Sequence, residues 1–288
     1  MTTTHVLSLP GVGLTYDVHG PLPTADGRPP LLLIGQPMCA DGFAALAAHM
    51  TDRTVITYDP RGLGRSVRTD GLVTNVPDTQ AADLHALVAH LGAGPVEVFG
   101  SSGGAVTGLA LVTAHPEDVV TLVAHEPPLI NVLPDAAAAE RAAAGFRAAY
   151  AERGFGAGMA EFIRMTSWEG EFTDAYFAAG PADPAGFGLP VEDDGTRDDP
   201  LLSDRSVPVI DYRLDAGALK AAPTRIVVGV GEETGNTFTG RTGFATAAAL
   251  GLEVTVFPSH HGGFLDGEHG YAGRPAEFAE TVKKVLAG

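Results

Sequence analysis

Gly100-Ser101-Ser102-Gly103-Gly104 forms a G-x-S-x-G pattern between an apolar run, Val96-Glu97-Val98-Phe99, and a helix-like stretch beginning at Ala105. A serine at a sharp strand-to-helix turn sits in strained backbone geometry, and small neighbours let the chain fold that tightly. The turn lifts the Ser102 hydroxyl above the sheet, and the helix N-terminus that follows favours developing negative charge. That is the chemistry of nucleophilic attack on a carbonyl. By themselves these residues would also suit a phosphate-binding loop or a plain turn; the strand–turn–helix setting favours the nucleophile. A serine hydroxyl is a poor nucleophile until a base within hydrogen-bond reach takes its proton, and the chain offers ten histidines. The single cysteine, Cys39, excludes an internal disulfide and a multi-cysteine zinc site. It has no basic neighbour to activate it and reads as a small buried hydrophobe. His260, His261 and His269 lie near acidic residues, but at the density any acidic surface supplies, so no metal is expected.

The elements that must position these residues follow from the apolar pattern. Val6 to Gly20 alternates around Pro10-Gly11 and reads as an antiparallel hairpin. Leu31-Leu32-Leu33-Ile34 is a short continuous apolar run, as in a strand buried on both faces of a parallel sheet. A helical stretch around 43–50, a strand at 54–58 and a helix at 79–91 closed by Gly92 follow. After the serine turn come a helix to Ala114 and a strand at 119–124, which stops at His125-Glu126-Pro127-Pro128. Strand and helix alternating with short connections mean βαβ units with right-handed crossovers.

The rhythm breaks for about 95 residues between Pro127 and Pro223, far beyond an ordinary connection. Helices are expected at 135–153 and 158–166, and the Pro-, Gly- and Asp-rich 181–208 reads as loop. The α/β pattern resumes with a strand at 225–230, a helix at 240–250, a strand at 253–257 and a final helix at 275–286. The expected organisation is an α/β core of residues 1–126 and 223–288, with 127–222 inserted as a cap.

Composition bounds the function. The chain has 288 residues, with 18 Lys and Arg against 35 Asp and Glu, a net charge of −17. That balance argues against nucleic acid and against a polybasic membrane anchor. Much of it falls in stretches such as Glu192-Asp193-Asp194, away from the serine turn, and speaks to solubility. At 45% hydrophobic and 18% charged residues the chain is built to fold. No apolar run suits a membrane span, and the first residues lack a signal-peptide pattern, so a cytoplasmic location is expected.

With these motifs in place, the chain resembles the α/β-hydrolase fold superfamily over nearly its whole length. Tyr58-Asp59-Pro60-Arg61-Gly62-Leu63-Gly64-Arg65-Ser66 is similar to that superfamily's Asp-x-Arg-Gly-x-Gly-x-Ser loop, which implies a structural role for Asp59 and Arg61. Phe257-Pro258-Ser259-His260-His261-Gly262-Gly263 resembles the late loop carrying the catalytic histidine, which implies His261 as base and His260 as a bystander. Members usually carry the acid after the strand equivalent to 225–230, but here that stretch reads Gly231-Glu232-Glu233-Thr234, without aspartate. Either Glu232 or Glu233 serves, or the acid stands at the end of the previous core strand, as Glu126; Glu126 is preferred, since ligand sites gather at the carboxyl ends of such strands. The resemblance implies an oxyanion hole from the N–H of Gly103 and of Gln36, in Ile34-Gly35-Gln36-Pro37, where many members have His-Gly-x-Pro.

The function these residues imply is a serine hydrolase acting through an acyl-enzyme on a small or medium apolar ester, lactone or thioester. Met38, Trp168 and Phe172 are expected to line its pocket, and the aromatic-bearing cap to exclude water. No cofactor is called for. Similar triads in the superfamily serve perhydrolases, carbon–carbon bond hydrolases and polyketide lactone-forming enzymes, and some members act as non-catalytic ligand receptors. Aspartate at position 102 would point to an epoxide hydrolase or dehalogenase; serine disfavours both.

Overall fold

A computed structural model describes residues 2–267, 270 and 272–288, so His269 lies outside the described residues. The N-terminal alternation folds as the antiparallel hairpin β1 (Thr2–Leu9) and β2 (Val12–His19). Its turn needs Gly11, whose φ of 76° a side chain would strain. The short apolar runs become β3 (Leu31–Ile34) and β4 (Val55–Tyr58), buried along their whole length. A two-residue strand, β5 (Val67–Arg68), adds to β2. Then come β6 (Val96–Ser101), β7 (Val119–His125), β8 (Arg225–Gly231) and β9 (Val254–Phe257). The sheet runs β1-β2-β4-β3-β6-β7-β8-β9, antiparallel at β1-β2 and β2-β4 and parallel from β4 onward. That mixed sheet, with helices on both faces, is the α/β-hydrolase fold.

Two cores sandwich the sheet. On one side α1 (Ala44–His49) and α8 (Pro275–Leu286) enclose Phe43, Phe99, Phe257, Phe264 and Phe278. On the other lie α2 (Pro77–Leu91) and α3 (Gly103–Ala114). The sequence of α3 has almost no polar face because the helix is buried nearly all round, as expected for the helix behind the central strands.

Between β7 and β8 the chain leaves the sheet. The expected pair of helices forms one tract, α4 (Ala136–Ser167), interrupted at Gly154, where φ is 81° and ψ −167°. The break therefore falls where glycine tolerates a backbone no other residue adopts cheaply, and the second limb begins at once rather than at Gly158. Two short helices that apolar periodicity is too brief to announce, α5 (Asp174–Ala178) and α6 (Ala216–Ala221), follow. Most of 181–208 is loop, with a 3-10 turn at Pro184–Phe187. Another turn, Val207–Asp211, follows it. The excursion has a third core of its own, including Phe146, Tyr150, Phe172 and Tyr176, which Phe238 of α7 (Phe238–Leu250) joins. Leu219 of α6 instead joins the core under α3. Among the described residues no helix is long and apolar enough to cross a membrane.

Candidate active site

Ser102 stands at the junction of β6 and α3 with φ 54° and ψ −123°, a conformation that costs an L-residue on the order of 1–3 kcal/mol. Its amide donates to the His125 carbonyl of β7 at 2.9 Å, and its carbonyl accepts from Ala105 N–H at 2.9 Å, so neighbouring elements hold the strained turn. Both glycines after it are sterically compulsory. A Cβ on Gly103 would lie 2.5 Å from the Gln36 carbonyl oxygen, and one on Gly104 2.1 Å from that of Ile34. Packing of the turn against the end of β3 therefore explains the second half of the motif.

Glu126 follows β7 with φ 48°, fully buried at 0% exposure. Its Oε1 accepts from the Gly231 N–H at 2.8 Å and its Oε2 lies 2.6 Å from His261 Nδ1. An ionised carboxylate only accepts, so Nδ1 carries the proton and Nε2 presents its lone pair. Burial acts to raise the Glu126 pKa, but the hydrogen bond from His261 outweighs it and holds the carboxyl well below the usual range. The loop bearing His261 is anchored on either side by Phe257 and Phe264, both in the aromatic core. Among the described residues, the non-glycine positions with positive φ are Ser102, Glu126 and Ser259. Each is a candidate triad member or stands two residues from one, and such strain persists only where surroundings over-determine it.

The rival residues sit elsewhere. His260 Nδ1 accepts from the Gly262 N–H at 3.1 Å and its Nε2 lies 3.2 Å from the Ala272 carbonyl, so backbone engages both nitrogens. Glu232 and Glu233 are exposed and turn to Arg274, which pairs with both. Their amides bond the Phe257 and Ser259 carbonyls, which directs the side chains outward rather than toward His261.

Gln36 and Gly103 adjoin, as the 2.5 Å approach above requires. The loop from Gln36 onward is steadied by Asp59, whose carboxylate accepts from Ala40 N–H at 3.0 Å and from Arg65 N–H at 2.7 Å. Arg61 pairs with buried Asp83, so both residues of the Asp-x-Arg loop tie structure together. Burial and the nearby Asp59 and Asp41 push the Cys39 thiol up to about 12, which leaves it an inert packing group. Of the expected pocket residues, Met38 packs onto the Phe43 side of the core. Phe172 is buried in the excursion's own core, its ring edge-on to Tyr176 at 5.0 Å. Trp168 is edge-on to Tyr176 at 5.2 Å and donates to the Glu171 carbonyl. Aromatic–aromatic packing thus claims two of the three.

Two features escape sequence reading. The His125 ring is fully buried among Phe99, Phe257 and Phe278, 6.2 Å from the His261 ring, and neither nitrogen has a hydrogen-bond partner. Burial keeps it neutral, with a pKa lowered to about 4. Its place one residue before Glu126 is the sole signal the sequence carries. The second is Ser206, whose hydroxyl meets the Gln36 side chain at 2.9 Å across 170 residues. Elsewhere, His85, His115 and Glu117 bring donor atoms together, but the imidazoles stack at 3.7 Å and 11°. Ring lone pairs lie in the ring plane, so two parallel rings do not converge on one ion.

Comparison with known proteins points to the same fold. A family model described as alpha/beta hydrolase fold matches residues 29–164. The uncharacterized hydrolase YraK of Bacillus subtilis (strain 168) is 39% identical over 128 residues, 44% of this chain and 45% of that protein. The chain thus spans less than half the length of that curated relative. A structure from work on carboxylesterases of Nitrososphaera gargenis superposes with a TM-score of 0.64 at 19% identity, covering 98% of both chains. Proline iminopeptidase of Mycobacterium smegmatis gives 0.63 at 20% identity, covering 99% of this chain and 98% of its own. By its sheet order, its strand–serine–helix turn and these matches, the chain has the α/β-hydrolase fold.

Proposed function

We propose that the chain is a serine hydrolase that cleaves small or medium apolar esters, lactones or thioesters through an acyl-enzyme. The 2.6 Å contact between Glu126 and His261 carries the reading, because it leaves an imidazole lone pair available, and the strained Ser102 follows β6, the strand paired with the β7 that leads to Glu126. His261 Nε2 takes the Ser102 proton as the oxygen attacks the carbonyl carbon, and the electron pair moves to the carbonyl oxygen. The N–H groups of Gly103 and Gln36 receive that oxyanion, and preorganised donors of this kind supply several kcal/mol of barrier lowering. His261 then returns the proton to the leaving group, water attacks the acyl carbon with His261 as base again, and Ser102 is released. Glu126 fixes the imidazole tautomer throughout and stays ionised.

Residues 127–222 act as the cap in this reading. Support comes from Val209, whose Cγ1 lies 3.2 Å from where a Gly103 side chain would begin, and from the bonds that join Gln36 to residues 205 and 206. The esterase and iminopeptidase names of proteins with this fold extend to this chain only as far as carbonyl hydrolysis. Turnover of short-chain p-nitrophenyl esters tests the proposal. Wild-type protein hydrolyses them and Ser102→Ala does not; a folded wild type inert to esters, lactones and thioesters alike would contradict it.

A further inference from the structure

Gln36 does more than offer its backbone. The side chain is buried, and its Nε2 donates to the Arg205 carbonyl at 2.6 Å and to Ser206 Oγ at 2.9 Å. The Ser206 hydroxyl donates onward to the Pro200 carbonyl at 2.6 Å. A carbonyl only accepts, so the bond to Arg205 fixes which end of the amide faces the excursion. The same stretch is stitched to the core from below: Asn75 N–H donates to the Asp204 carbonyl at 3.1 Å and the Arg205 guanidinium to Gly62 O at 3.3 Å. Three residues past Ser206, Val209 packs against Gly103. One stretch, 204–209, therefore touches both residues whose N–H groups would hold the oxyanion.

We propose that Gln36 is a positioning residue whose side chain latches residues 205 and 206 to the oxyanion loop, so that the hole is complete only when that stretch is docked. The inference rests on the serine-hydrolase reading. An oxyanion donor must stand about 2.7–3.1 Å from the oxygen as charge develops, and a buried side-chain bond on the donor's own residue restrains its peptide plane. The latch carries a cost: Gln36 Oε1 is buried with no hydrogen-bond partner. Gln36→Met removes that unpaired acceptor while it strips the Arg205 carbonyl of its donor, so its two effects on stability oppose each other. Gln36→Met thus separates positioning from folding.

The test compares wild type, Gln36→Met, Ser206→Ala, Ser206→Thr and the Gln36→Met/Ser206→Ala double variant, reading kcat and KM on a p-nitrophenyl ester, Tm, and inhibition by a boronic acid. Gln36→Met loses about 10- to 100-fold in kcat with KM and Tm little changed, and boronate affinity falls in step. Ser206→Ala falls between wild type and Gln36→Met, Ser206→Thr restores the rate, and the double variant is no slower than Gln36→Met. Wild-type kcat in Gln36→Met, purely additive losses, or losses that follow Tm alone would overturn the latch. If Gln36→Met does not fold, the Ser206→Ala and Ser206→Thr pair decides by the same criteria. A wild type neither active nor labelled by a fluorophosphonate overturns the serine-hydrolase reading and the latch with it; an active wild type with unaffected variants overturns the latch alone.

Discussion

Glu126 and His261 are 135 residues apart in the chain and 2.6 Å apart in space. One follows β7 and the other follows β9, so β8 lies between them in the sheet and supplies the Gly231 N–H that holds the second carboxylate oxygen. With both oxygens engaged and the side chain wholly buried, the carboxylate has one orientation, and it fixes the imidazole in one tautomer.

Glu126→Gln keeps the shape and removes the charge, so the imidazole loses its fixed tautomer and its support as a cation. A drop in kcat of about 10³- to 10⁴-fold is expected, with KM little changed. Glu232→Gln and Glu233→Gln only weaken exposed pairs with Arg274 and leave the rate intact. Steady-state kinetics on the three variants decides; a large loss in Glu233→Gln with none in Glu126→Gln would reverse the assignment.

Stability in acid should depend on His125. The unfolded chain takes up its proton near the ordinary value of 6.5, whereas the folded chain resists to about 4. Between these values the unfolded state binds more protons, so stability falls as the pH drops, by on the order of 3 kcal/mol across the window. Glu126 acts in the same direction lower down. Its pKa is depressed in the fold, so its contribution is present above the ordinary 4.5 and is lost as pH falls toward the folded value. Urea melts from pH 7 to pH 4 should show a shallower decline in His125→Leu. An unchanged slope would mean His125 is not the group responsible.

Gly103→Ala places a methyl group 2.5 Å from the Gln36 carbonyl oxygen, so the turn and the loop must move apart. Both proposed oxyanion donors shift together, and kcat/KM should fall by more than about 100-fold, with a lower Tm. Ester kinetics and thermal melts on the same sample check this, and retained activity would remove these two amides from the oxyanion hole.

Cys39 should behave as packing. With its pKa pushed up to about 12, the thiolate fraction at pH 8 is on the order of one in ten thousand. Iodoacetamide should label native protein far more slowly than urea-unfolded protein, and Cys39→Ala should leave ester turnover unchanged. Rapid native labelling would show the thiol to be activated.

What could be read from the sequence was what local rules govern. The apolar run at Leu31–Ile34 and the glycines around Ser102 specify buried strands and a tight turn through sterics alone. The motif singled out His261 and the strand end singled out Glu126, and the fold sets the two 2.6 Å apart; their catalytic roles are what we propose. The outward turn of Glu232 and Glu233 was not, because it depends on which carbonyls of a distant loop their amides meet. Nor could Trp168 and Phe172 be assigned between pocket and core, since an aromatic side chain suits either until its neighbour Tyr176 is placed. The Gln36–Ser206 bond joins two polar residues 170 positions apart, neither within a pattern, and only the fold brings them together.

Whether Ser102 is the nucleophile is tested most directly by fluorophosphonate labelling followed by peptide mass spectrometry. A single adduct on Ser102 is expected, abolished in Ser102→Ala, strongly slowed in Glu126→Gln, and lost in step with ester hydrolysis. Folded wild-type protein that takes up no label, or takes it up on another residue while Ser102→Ala still hydrolyses esters, would contradict the serine-hydrolase mechanism.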